Sequence, residues 1–191
     1  MPFIGNKPTA VPLTGADIQD GTIGIADLSA TGTKDSTTFL RGDNTFASAG
    51  GNNRPAFHAY LSSDFTIPNS TNTKVQFNVE TFDTDNCYDN STNYRFTPNV
   101  AGKYYVYFHT LVESGNTFDI YAKINKNGSG IAEVPAYNNG SAEGVNCFTT
   151  IDMNGTTDYL EAYVWQNFGA SKNIAGSSPW KSRFGAYKII T

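Results

Sequence analysis

The run "KYYVYFHT", residues 103–110, constrains the fold more than any other part of the chain. Its side chains alternate with period two: Tyr104, Val106 and Phe108 point one way, and Tyr105, Tyr107 and His109 the other. A helix of this composition would smear the aromatic residues around its circumference, whereas an extended strand sorts them into two faces. The same period recurs in "FDIYAKI", with Phe118, Ile120, Ala122 and Ile124 opposite Asp119, Tyr121 and Lys123. It recurs in "DYLEAYVWQ", with Leu160, Ala162 and Val164 opposite Tyr159, Glu161, Tyr163 and Trp165, and in "KVQFNVETF", with Val75, Phe77 and Val79 on one face. No segment carries a helical period. Abundant Asn, Thr and Gly supply turn chemistry between these segments. The expectation is an all-β, antiparallel β-sandwich.

The outward faces carry a second message. A sandwich that meets water usually shows polar residues there, yet the strands at Tyr104 and Tyr159 are aromatic on both sides. Tyrosines can cover a sheet with their hydroxyls in water. The preferred alternative is an interface with sister subunits, for which Tyr105, Tyr107, Tyr159, Tyr163 and Trp165 are the candidates.

Composition changes near residue 50. Residues 1–49 contain no Tyr, Trp or Cys and spread their apolar residues thinly, as in "GADIQDGTIGIADLSATGT". Such segments are too short and Gly-rich to form a core within one chain; three copies wound around one axis, or another protein alongside, would order them. "SAGGNNRPA" then reads as a linker. The division expected is 1–50 for attachment and stalk, 51–54 for the linker, and 55–191 for a head domain. The net charge of −4 and pI near 5.0 argue against non-specific nucleic-acid binding. No apolar stretch reaches the length of a membrane span, and the N-terminus lacks the pattern of a secretory signal. Cys87 and Cys147 have no metal-ligand spacing and read as buried free thiols. The N-x-S/T sequons at Asn69, Asn90, Asn127, Asn139 and Asn154 read as turns.

The block "FNVETFDTDNCYDNSTNYRFTPNVAGKYYVYFHT" resembles the complement one-q-type globular head of the tumour-necrosis-factor superfamily. Phe77, Asp83, Tyr88, Asp89, Thr92, Phe96, Gly102, Tyr104 and Phe108 match the pattern. Asn93 stands where the pattern has Gly, one residue is inserted before Phe96, and Val106 replaces a preferred Phe. Ser182, Phe184 and Tyr187 fit the closing strand, with Ala186 in place of Gly, and Asp158 fits the penultimate one. The resemblance covers roughly Pro55 to Thr191. It implies a jelly roll that associates as a homotrimer through an aromatic-rich sheet, and a structural strand-end role for His109.

The family's collagen stalk is absent. Instead, "SATGTKDSTTFLRGDNTFAS" resembles a linker of phage tail-fibre proteins through Thr31, Gly32, Thr33, Ser36 to Gly42, Asp43 and Thr45; Lys34, Asp35, Asn44 and Phe46 depart from it. The resemblance implies a virion protein, assembled in the host cytoplasm and exposed on the particle surface. Residues 1–50 would bind other virion proteins, with Phe3, Ile4 and Ile18 as anchors. Arg41-Gly42-Asp43 is then part of a fibre segment and no integrin ligand.

No catalytic set or cofactor motif is present, and no enzymatic activity is expected. "DTD", residues 83–85, reads as turn chemistry because its carboxylates do not assemble the six or more oxygen ligands calcium takes. Binding fits the polar loops 136–144 and 168–181 better, where Tyr137, Asn138, Asn139 and Trp180 combine ring faces with adaptable hydrogen bonds. The expected function is a tail fibre or spike whose trimeric head recognises a host-surface glycan or protein. The rival is a decoration or bracing protein of capsid or tail with no receptor.

Overall fold

The computed structural model describes residues 24, 29–48, 53–113, 115, 117–177 and 179–190. The chain divides into two compact units, Met1–Gly50 and Gly51–Thr191. Every element among the described residues is a strand.

In the first unit, β1 (Thr38–Leu40) and β2 (Phe46–Ser48) form an antiparallel hairpin. Arg41-Gly42-Asp43 makes its turn. The Arg41 N–H donates to the Thr45 carbonyl at 2.8 Å, and the Asn44 N–H donates to the Arg41 carbonyl at 3.0 Å. Asn44 takes φ 61°, a conformation Asn tolerates better than most residues. The Asp43 carboxylate accepts from the backbone and hydroxyl of Thr45, which hold it below the ordinary carboxylate range. Residue 31 runs alongside, bridging Thr45 in parallel. Gly32 is obligatory there: its φ is +94°, and a Cβ would overlap the Phe46 carbonyl.

The second unit is a two-sheet sandwich. One sheet contains β3 (Ala56–Tyr60), β4 (Phe65–Ile67), β6 (Val79–Asp83), β9 (Gly102–Val112), β12 (Glu143–Met153), β14 (Lys172–Ile174) and β15 (Arg183–Ile190). Here β9 pairs with β12 along its whole length and with β15 on its other edge, and β15 pairs in turn with β3. The other sheet contains β5 (Thr73–Lys74), β7 (Tyr88–Asp89), β8 (Arg95–Phe96), β10 (Phe118–Lys126), β11 (Ser129–Asn138) and β13 (Leu160–Gln166). Its longest strands run β11–β10–β13 from one edge, antiparallel throughout.

The alternation read from the sequence sets what is buried. Tyr104, Val106 and Phe108 of β9 pack into one core with Ile120, Ala122 and Ile124 of β10 and Leu160 and Val164 of β13. Phe57 stacks at 4.5 Å on both Tyr88 and Phe96 and meets Phe184 edge-on at 5.1 Å. Complete burial of such a ring stabilises by about 1.5–3 kcal/mol. Cys87 and Cys147 are free and buried. The sequon Asn154 accepts N–H donors from Thr156, Thr157 and Asp158, which closes a turn.

One expected strand is two. "KVQFNVETF" does not run as a single element: β5 belongs to one sheet and β6 to the other, and the chain crosses between them at residues 75–78. Val75 and Phe77 are both fully buried on the crossing. Their alternation therefore reflects two plugs in the inter-sheet space, with the Val75 N–H still donating to the Ala162 carbonyl of β13 at 2.9 Å.

Candidate functional site

The outer face of the sheet built on β9 is aromatic in lateral register. One row runs Phe82, His58, Gly185, Tyr107, Phe148 across β6, β3, β15, β9 and β12. The next runs Ala56, Tyr187, Tyr105, Thr150. Tyr105 lies 5.5 Å from Tyr187, 6.2 Å from Tyr107 and 6.3 Å from Phe148 between ring centroids. Phe148 is 61% exposed, Phe82 47% and Tyr187 40%, so these rings form a patch. Gly185 makes the patch flat. A Cβ there would overlap the Tyr107 ring and hydroxyl, so only Gly lets Tyr107 lie across the sheet to reach His58 Nδ1 at 2.7 Å. Burial, then the nearby Arg183 charge, lowers the His58 pKa, and burial raises that of Tyr107. Both are neutral at pH 7, and no formal charge interrupts the row.

The five proposed interface residues do not share one surface. Tyr105 and Tyr107 occupy this face, while Tyr163 and Trp165 lie on β13 in the other sheet. Tyr159 precedes β13 and packs under the Arg95 guanidinium, 4.5 Å from its ring centroid. The residues expected from sequence to form one aromatic interface thus lie on two separate faces of the sandwich.

The loop candidates also separate. Tyr137 and Trp180 are each 62% exposed and Asn139 is exposed. Asn138 is fully buried; its Oδ1 accepts the Gly140 N–H at 2.8 Å, which closes the end of β11. Asn138 is therefore a turn-holding residue and not a surface contact. Phe3, Ile4 and Ile18 lie outside the described residues. The Asp83 carboxylate accepts the Tyr88 N–H at 2.7 Å, and Asp85 pairs with Arg54 at 3.1 Å, so the "DTD" carboxylates are used in local structure. Among the described residues, no cluster of three or more His, Cys, Asp or Glu is placed to hold a metal.

A feature the sequence reading missed lies on the outer face of the other sheet. Pro135, Tyr121 and Trp165 align across β11, β10 and β13, and Glu133, Lys123 and Tyr163 form the adjacent row. Lys123 Nζ is 3.0 Å from Glu133 Oε2. Two adjoining hollows of about 450 and 320 Å³ open along these rows and share Asn72, Lys123 and Glu133.

No family model matches the sequence, and no curated protein does. Solved structures do. Murine APRIL at pH 5.0 superposes with a TM-score of 0.55 at 11% identity, covering 70% of this chain and 98% of that one. The sandwich is a tumour-necrosis-factor-like jelly roll. The globular domain of zebrafish complement 1qA (TM-score 0.44, 18% identity) and Eiger TNF from S. frugiperda (0.46, 14%) match at lower scores. Each covers 71% of this chain, over 98% and 94% of its own length respectively. In this jelly roll the aromatic row and the groove lie on opposite outer faces, because they belong to different sheets enclosing one core.

Proposed function

We propose that the protein is a structural subunit of a phage virion, a homotrimeric fibre or spike whose jelly-roll head contacts the host surface without catalysis. The observation that carries this reading is the aromatic face around Tyr105, Tyr107, Phe148 and Tyr187. An exposed patch of rings without formal charge has the composition of an interface core, where aromatic residues are enriched and charges depleted. Two further copies of this chain, packed around a three-fold axis, are the occupants that explain it without another gene product. The hairpin at residues 38–48, built from the fibre-linker residues, supports a role for residues 1–50 as the stalk that joins the head to other virion proteins.

Light scattering on the full chain tests the assembly. The expected mass is three times the chain's 20.7 kDa, falling to a single chain for Phe148→Glu. A wild-type monomer removes the trimer. Electron microscopy of virions labelled with antibody to the head tests the location: label at a projecting tip supports adhesion, label over the capsid wall supports bracing, and unlabelled particles refute both.

A further inference from the structure

We propose that the outer face of the β11–β10–β13 sheet is a saccharide-binding groove for an uncharged pyranose oligosaccharide, held between the Tyr121–Trp165 corner and the Lys123–Glu133 pair. This deepens the host-contact reading and rests on it for its biological setting only.

A pyranose presents C–H groups on a ring face and hydroxyls around its rim, so a site for it needs an aromatic surface beside convergent donors and acceptors. The groove has both. Tyr121 and Trp165 meet at 78° with centroids 5.2 Å apart, forming an angled wall against which a ring face and an edge can pack. One step along the strands, Lys123 Nζ and Glu133 Oε2 stand 3.0 Å apart with side-chain exposures of 20% and 46%. A donor and an acceptor at that spacing suit neighbouring hydroxyls of one sugar, and the amides of Asn72 and Asn125 each offer both roles.

Side chains beside the wall are already held in place. Tyr163 donates from its hydroxyl to Glu161 at 3.3 Å, and Glu161 pairs with Lys74 at 3.1 Å. Lys123 Nζ also lies 5.5 Å from the Tyr121 ring centroid. Side chains already fixed lose little entropy when a ligand arrives. The two hollows adjoin, which gives room for more than one sugar along the sheet.

Charge selects the ligand class. One ammonium and one carboxylate cancel at the centre of the groove, so a sialylated or uronic sugar, or an acidic peptide, gains nothing from the site. The same pair argues against a second copy as occupant, since interface cores are depleted in Lys and Glu, and the opposite face already offers the uncharged aromatic row.

The experiment is calorimetric titration of the full chain with maltotriose, cellotriose, chitotriose and mannotriose, with 3′-sialyllactose as the charged control and light scattering run in parallel. Expected is saturable binding of at least one neutral trisaccharide, weakened roughly tenfold in Trp165→Ala, the upper end of what one aromatic stack contributes. Glu133→Gln, at an exposed position that cannot disturb the core, should weaken it several-fold. Four neutral sugars without saturable binding, or binding indifferent to both groove variants, overturns the proposal. So does Glu133→Gln lowering the oligomer mass, which would make the groove a subunit contact. A trimer that binds none of the sugars removes the groove and leaves the assembly standing; a monomer that binds through Trp165 does the reverse.

Discussion

Gly185→Ala adds one methyl group at the centre of the aromatic face, and its cost can be worked from the structure. The new Cβ would overlap the Tyr107 hydroxyl and ring and lie 2.9 Å from the Phe57 carbonyl. Tyr107 must rotate away, which costs about 0.5–1.5 kcal/mol for an off-rotamer side chain. It also loses the 2.7 Å bond to His58, worth about 0.5–1.5 kcal/mol net. The sum is about 1–3 kcal/mol, or roughly 4–8 °C in Tm for a mid-range loss in a domain of this size. Urea unfolding of the wild type, Gly185→Ala, Tyr107→Ala and the double variant, at one fixed protomer concentration, separates the causes. With Tyr107 removed, the same methyl should cost less than about half as much. An equal cost in both backgrounds would refute the reasoning, because it would place the whole penalty on the Phe57 backbone. Preserved stability in Gly185→Ala would refute it outright.

Two further outcomes follow from buried and capped groups. Asp89 accepts N–H bonds from Thr92, Ser91 and Asn93, with the Thr92 contribution largest, and these depress its pKa well below 3.8. A depressed carboxylate contributes stability that is complete above the ordinary range and lost as pH falls through the folded value. Thermal melts from pH 5 to 2 should therefore show a shallower acid limb in Asp89→Asn than in wild type, and superimposable limbs would count against the cap. Burial raises the Cys147 pKa to about 11 and also raises that of Cys87. Neither thiol should react with a disulfide reagent at pH 8 until urea is added, and rapid labelling of the native chain would contradict the packing.

Strand parity was legible in the sequence, and it carried most of the fold. "KYYVYFHT" put Tyr104, Val106 and Phe108 inside, and "FDIYAKI" put Ile120, Ala122 and Ile124 there, because period two leaves only two directions. Parity does not say which sheet a strand joins. Tyr105 and Trp165 look alike as outward aromatics, yet strand order places them on opposite faces. Asn138 looked like a loop residue because it is polar; its pairing opposite Phe118 at the end of β11 turns it inward. The groove was invisible for a related reason. Tyr121, Lys123, Glu133 and Trp165 come from three strands, and only the lateral register brings them together. The signal available was the list of outward residues on "FDIYAKI", which mixes a ring with a cation where a solvated face would be uniformly polar.

The placement of β15 between β3 and β9 sets when this head can fold during synthesis. The sheet's first and middle strands are made early, but they have no direct pairing with each other until residues 183–190 arrive to join them. A nascent chain halted before Arg183 therefore holds two sheet edges open, with the Phe57 and Phe108 rings lacking Phe184 between their strands. Closure is a late, non-local event of the kind that folds slowly. Until it happens, the exposed aromatic rings are a hazard for misassembly. In the trimer proposed above, subunits would meet productively only after residues 183–190 have been made and have closed the sheet.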